Sequence, residues 1–206
     1  DAFERVQAST NVTEIVDLVK EHHLPWEALP TEVLKDPKIW MALLENIPMG
    51  ALIRNLGRMA SLGVTNPLSS GAAKVVDRLT DAEAFRRARI HPLGVLVALK
   101  TYEQGHGDKG SLSWSPNPKI LSALDEAFYT AFGYVEPIGQ RTLSALDVSG
   151  SMDWSNIAGM PITPRVAAAA MAMLRVRCEE QHHTMGFSSS LVDIPLTKRM
   201  SLADVM

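Results

Sequence analysis

Thr142-Leu143-Ser144-Ala145-Leu146-Asp147-Val148-Ser149-Gly150-Ser151-Met152 is the stretch on which the fold turns. An apolar run ends in a carboxylate, and hydroxyls follow at alternate positions, Ser149 and Ser151. The run predicts a buried parallel strand, and the loop at the carboxyl end of such a strand is where open α/β sheets place ligands. One carboxylate and two hydroxyls form a hard, all-oxygen cluster that suits Mg2+ or Mn2+ rather than zinc. The plain alternative is a turn rich in small residues that holds no metal.

Two hydrolytic readings of the loop fail on particular residues. Phosphatases of the haloacid-dehalogenase type place a second Asp two residues after the nucleophilic one as proton donor, and Ser149 stands there instead. A nucleophile elbow needs Gly-x-Ser-x-Gly, whereas Ser149 is flanked at those positions by Asp147 and Ser151. No good general base stands beside the loop, so the chain is not expected to be an enzyme. Downstream, Pro164 to about Glu180 predicts a long Ala- and Met-rich helix, and Thr184 to Phe187 a second strand. Leu191 to Ile194 reads as its hairpin partner or as an edge strand, and Ser201 as the cap of a short helix. Strand, helix, strand is the beginning of a doubly wound sheet. His182 and His183 read as a turn. Adjacent histidines face different ways, and no Cys or carboxylate completes a zinc set.

Upstream the pattern changes at Glu136-Pro137-Ile138-Gly139, which divides the chain into residues 1–138 and 139–206. The first part reads as consecutive helices. Val12, Ile15, Val16 and Val19 recur at helical spacing, and Pro25 and Pro30 break the chain. Asp36-Pro37 and Pro48 open two helices, the second carrying Met49, Leu52, Ile53 and Leu56 on one face. Residues 70–79 and 81–88 make a short pair, Pro92 opens a strongly apolar helix, and Pro118 opens the last. Between these lies a loop, 105–118, that is glycine-rich but lacks the Gly-Lys-Ser/Thr of a phosphate-binding P-loop. Helical hairpins stacked as a solenoid fit this order, and so does a looser bundle.

Composition narrows the function classes. The chain has 206 residues and a net charge of −3, so any nucleic-acid contact must come from a local patch. One cysteine, Cys178, excludes an internal disulfide framework and fits a reducing, cytoplasmic setting. Its place in a helical pattern favours a packed thiol. No run approaches the ~18 apolar residues of a membrane span.

Ala51-Leu52-Ile53-Arg54-Asn55-Leu56-Gly57-Arg58-Met59 resembles a segment of the Ro ribonucleoprotein family. Ala88-Arg89-Ile90-His91-Pro92, Thr101-Tyr102-x-x-Gly105-His106-Gly107-x-x-Gly110 and Ala123-Leu124-Asp125-x-Ala127-Phe128-Tyr129 are similar to further segments, in the same order. Asp147-x-Ser149-x-Ser151 resembles the metal-ion-dependent adhesion site of von Willebrand factor A (vWA) domains. The resemblance implies an α-helical, HEAT-like region, part of a TROVE ring (telomerase, Ro and vault), followed by part of an α/β, Rossmann-like vWA domain. It implies binding of the single-stranded 3′ ends of misfolded or non-coding RNAs in the ring and of small Y RNAs outside it, in RNA quality control and turnover. Exoribonucleases are implied partners. By the family's pattern the N-terminal ring helices and the distal Thr and Asp metal ligands lie outside this chain. Asp147, Ser149 and Ser151 are then a partial set for Mg2+ or another divalent cation, completed by waters or by another chain.

Candidate RNA contacts follow from residue type and position. Arg54 and Arg58 share one helix face, where a phosphate backbone would relieve their repulsion. Solvated or salt-bridged arginines are the alternative. Arg87 and Arg89, with Arg86, suit a basic lining, although arginines at a helix end also complement its dipole. His106 and Lys109 in the glycine-rich loop suit phosphate, or pairing with acidic groups across the domain junction. Trp40 has core spacing, whereas Trp154, just past the metal-type loop, is the best candidate for an exposed recognition aromatic. The rival class is a metal-dependent protein-interaction module without RNA affinity.

Overall fold

A computed structural model describes residues 1–107 and 111–206. Eight helices come first: α1 (Ala2–Ala8), α2 (Val12–His22), α3 (Pro37–Leu43), α4 (Met49–Ser61), α5 (Ser70–Leu79), α6 (Ala82–Ala88), α7 (Pro92–Glu103) and α8 (Pro118–Ala131). An α/β part follows: β1 (Thr142–Asp147), α9 (Pro164–Cys178), β2 (His182–Phe187), β3 (Leu191–Asp193) and the short α10 (Leu202–Val205).

Local chemistry sets most of these boundaries. Asp36, His91, Asn117 and Thr163 each cap a helix with a side-chain acceptor, and Pro follows at the first helical position, where its missing N–H costs nothing. α2 and α6 end on His23 and Arg89 in left-handed backbone. The apolar stripes of the helices then meet in one core. Trp40 is buried and donates its indole N–H to the Leu34 carbonyl at 2.8 Å, so it packs rather than recognises. Arg78 on α5 donates to the Leu44 carbonyl at 3.0 Å and to the Ile47 carbonyl, satisfying orphan acceptors beyond α3. α7 packs against α4, α8 and α9 and joins the two halves.

The sheet has the order β1-β2-β3. β1 and β2 are parallel, Thr142 opposite His182 and Asp147 opposite Phe187, with α9 as the crossover. β2 and β3 form an antiparallel hairpin whose outer strand is β3, so both readings of 191–194 hold. Two expectations need correction. His182 and His183 open β2 instead of forming a turn, because the ladder with β1 begins at their register. β1 is not a fully buried strand. α9 covers one face, while Leu143 on the other is 64% exposed, because no described element packs there.

The junction between the helices and the sheet is built from the last turn of α9. Arg177 lies over the rings of Tyr129 and Phe132, at 5.0 and 5.2 Å from their centroids, and donates to the Met200 carbonyl at 2.9 Å. The buried Glu179 carboxylate accepts the backbone N–H groups of Ile138 at 2.9 Å and Gly139 at 3.2 Å. Cys178 is half-buried with its Sγ against the Phe132 carbonyl, and burial pushes its thiol pKa up, as a packed thiol requires.

Candidate RNA interface and metal loop

The amphipathic pattern of α4 decides where its arginines point. Ala51, Leu52, Ile53, Leu56 and Met59 are buried, which turns Arg54 and Arg58 to solvent. Neither guanidinium has an ion-pair or hydrogen-bond partner among the described residues. The Asn55 amide is committed to the Ala51 carbonyl at 2.9 Å and is not offered outward.

Sequence reasoning missed what lies between the two arginines. Gly57 occupies the same helix face, and the Trp114 indole of the 105–118 loop sits on it. A Cβ built at Gly57 would come within 2.6 Å of that ring. Trp114 is fixed by its N–H to the Tyr102 carbonyl at 2.9 Å and by stacking on the Tyr102 ring. The only signal in the sequence was a glycine inside a helix, which marks a close approach.

The docked loop carries His106. It forms an isolated antiparallel bridge with Ser113, closed by Trp114 N–H to the Gly105 carbonyl at 2.8 Å. The His106 ring is exposed and faces the Gly107 carbonyl at 3.1 Å, not an acidic group across the junction. Lys109 lies outside the described residues. The structure thus brings the His106 loop onto the helix that carries Arg54 and Arg58. Arg87 and Arg89 lie at the end of α6, exposed and without partners among the described residues. Arg86 is held by Glu83 at 2.7 Å and contributes less to any basic surface.

At the end of β1, Asp147 accepts the Ser149 backbone N–H at 2.9 Å, and the Ser149 and Ser151 hydroxyl oxygens stand 2.9 Å apart. The Ser149 hydroxyl and then its backbone N–H hold the Asp147 carboxyl below the usual carboxylate range. An ionised carboxylate beside two hydroxyls fits a hard cation, with most of its coordination left to water. The neighbouring Asp153 is taken by Arg165 at 2.6 Å and Thr163 at 3.1 Å. Thr163 also caps α9, so its hydroxyl has a structural role. Trp154 projects beside this loop at 83% exposure.

Two family models match the chain, the TROVE domain over residues 21–101 and the Ro60 vWA domain over residues 141–206. The chain belongs to the Ro family. It is 42% identical over 191 residues to RNA-binding protein RO60 of Deinococcus radiodurans, covering 92% of this chain and 36% of that protein. It is 39% identical over 206 residues to RNA-binding protein RO60 of Caenorhabditis elegans, covering all of this chain and 32% of that protein. This Ro-family chain therefore spans about a third of the curated relatives it matches. The crystal structure of the Deinococcus radiodurans RO (RSR) protein superposes with a TM-score of 0.91 at 39% identity, over 99% of this chain and 41% of that one. The helical region followed by a vWA-type α/β part is thus the Ro architecture. No helix among the described residues is long and apolar enough to cross a membrane.

Proposed function

We propose that this chain is an RNA-binding element of a Ro ribonucleoprotein, holding single-stranded RNA along α4. The carrying observation is the pair of exposed, unpartnered arginines, Arg54 and Arg58, flanking the point where the His106 loop docks through Trp114. Guanidinium groups on one rigid face bind phosphates bidentately, and without base-edge contacts they read backbone, not sequence. Arg87 and Arg89 extend the basic surface in this reading. Two relatives named RNA-binding protein RO60 support it. The natural ligands in this reading are single-stranded 3′ ends of misfolded or non-coding RNAs, with Y RNAs held elsewhere on the whole protein, in RNA quality control in the cytoplasm.

A gel shift across a salt series tests it, using a hairpin RNA with a 3′ single-stranded tail against the same hairpin blunt. Tail-dependent binding is expected. Arg54→Ala/Arg58→Ala should weaken it and reduce the salt slope by about 1.4, since each single-strand phosphate contact contributes about 0.7. Equal binding of both RNAs, or an unchanged slope in the variant, would refute the assignment.

A second reading rests on a separate observation, the clustered oxygens of Asp147, Ser149 and Ser151 beside the exposed Trp154. These residues would hold Mg2+, which when bound supplies an open position for a carboxylate of a protein partner such as an exoribonuclease. Trp154 would give that partner an aromatic anchor. Mg2+-dependent protein capture that is lost in Asp147→Ala and independent of Arg54 and Arg58 supports this reading.

A further inference from the structure

A shallow groove runs between α2, α3 and α5, and neither the α4 arginines nor the Asp147 loop line it. Its floor is aliphatic: Val16 of α2 and Pro37, Met41 and Ala42 of α3. Its rim is cationic: Lys20, Lys38 and Lys74. Lys20 and Lys74 reach the same Glu45 carboxylate oxygen, at 4.0 and 3.6 Å. Lys38 has no side-chain partner among the described residues. Three positive charges around one negative charge make a local positive surface on a chain whose net charge is −3. Nothing in the RNA or metal readings uses it.

We infer that this groove docks an acidic amphipathic helix of a protein partner. Charge complementarity selects an acidic occupant, because carboxylates flanking the helix would meet the three lysines. The floor selects a peptide over RNA. Single-stranded nucleic acid is held by stacking on aromatic faces, and no aromatic ring lines the groove. Aliphatic side chains at i, i+3, i+4 and i+7 of a helix fill such a floor, and Met41 adapts to their shapes. The Glu45 contacts do not block entry. They are long and exposed, so a partner's carboxylate replaces them at little loss.

Fluorescence anisotropy with the full chain tests the inference. The probe is a labelled synthetic peptide with leucines at helical spacing and glutamates flanking them. The controls are a peptide of the same composition in scrambled order and an unlabelled oligouridylate as competitor. The patterned peptide is expected to bind, and the scrambled one to bind at least about tenfold more weakly, as the loss of its apolar anchors implies. Lys38→Glu, an exposed and fold-neutral change, should weaken binding, and Met41→Glu should weaken it further. Circular dichroism confirms that both variants remain folded. No binding of the patterned peptide, equal binding of the scrambled one, or wild-type affinity in folded Lys38→Glu would overturn the inference. Displacement of the peptide by oligouridylate would overturn it in favour of RNA as the occupant.

Discussion

Gly57 has the smallest side chain on the arginine face of α4 and the largest neighbour there. A methyl group added to it must displace a ring tethered by its own hydrogen bond. Overpacking of this kind costs about 1–3 kcal/mol, more than the ~1 kcal/mol that Ala gains over Gly inside a helix. Gly57→Ala should therefore lower the urea midpoint. Gly50→Ala on the same helix is the control. Its Cβ meets only the flexible end of Arg54, at 3.4 Å, so it should raise stability by about 0.4–1 kcal/mol. Asp147 ties the stability of the β1 loop to pH. Its folded-state pKa is depressed, so its contribution to stability is present above the unfolded value and is lost as pH falls through the folded one. Ser149→Ala removes the leading cause, and the Asp147 titration, followed by carboxyl-carbon NMR, should move up towards the ordinary aspartate range. Any cation held there should be released at higher pH in the variant than in the parent chain.

Elements were legible where one rule governed them. The Pro48 start and the spacing of Leu52, Ile53 and Leu56 specified α4 and its exposed arginines, because burial of one stripe dictates the direction of the other. The strand β1 was read correctly in place but not in exposure, since an apolar run says that burial is favourable and not which element supplies it. The Asp147 loop was legible as local spacing. The Trp114 contact on Gly57 was not, because it joins residues far apart in sequence that share no pattern. The Glu179 clamp was invisible for the same reason: a carboxylate at a helix end reads as solvated until the partner backbone is in place. Glu179→Ala should leave the Ile138 and Gly139 N–H groups without their charged acceptor. A loss of about 1.5–3 kcal/mol in urea denaturation is expected, as for hydrogen bonds to charged groups, with Glu179→Gln losing less. Equal stability of all three proteins would show that the linker is held by other contacts.

At the scale of the whole molecule, the described residues cover the sheet on one face only. Leu143 and Leu191 are 64% and 61% exposed, and among the described residues β1 has a strand on only one side. Open edges with apolar faces promote association between chains. For these 206 residues by themselves, light scattering should rise with protein concentration, and Leu143→Lys should suppress the rise without lowering the melting temperature. A wholly concentration-independent signal would contradict this. The two halves of the chain also share one long part. α9 has 15 residues, a rod of about 22 Å at 1.5 Å per residue. Its first turn sets Thr163 and Arg165 against Asp153, next to the metal loop. Its last turn sets Arg177 and Cys178 against the helical half, and Glu179 just beyond it holds the linker at Ile138 and Gly139. A rod gripped at both ends works as a lever. A tilt imposed at the Asp153 end would be carried along the rod to Tyr129 and Phe132, so a rearrangement at one end of α9 is expected to disturb the packing at the other.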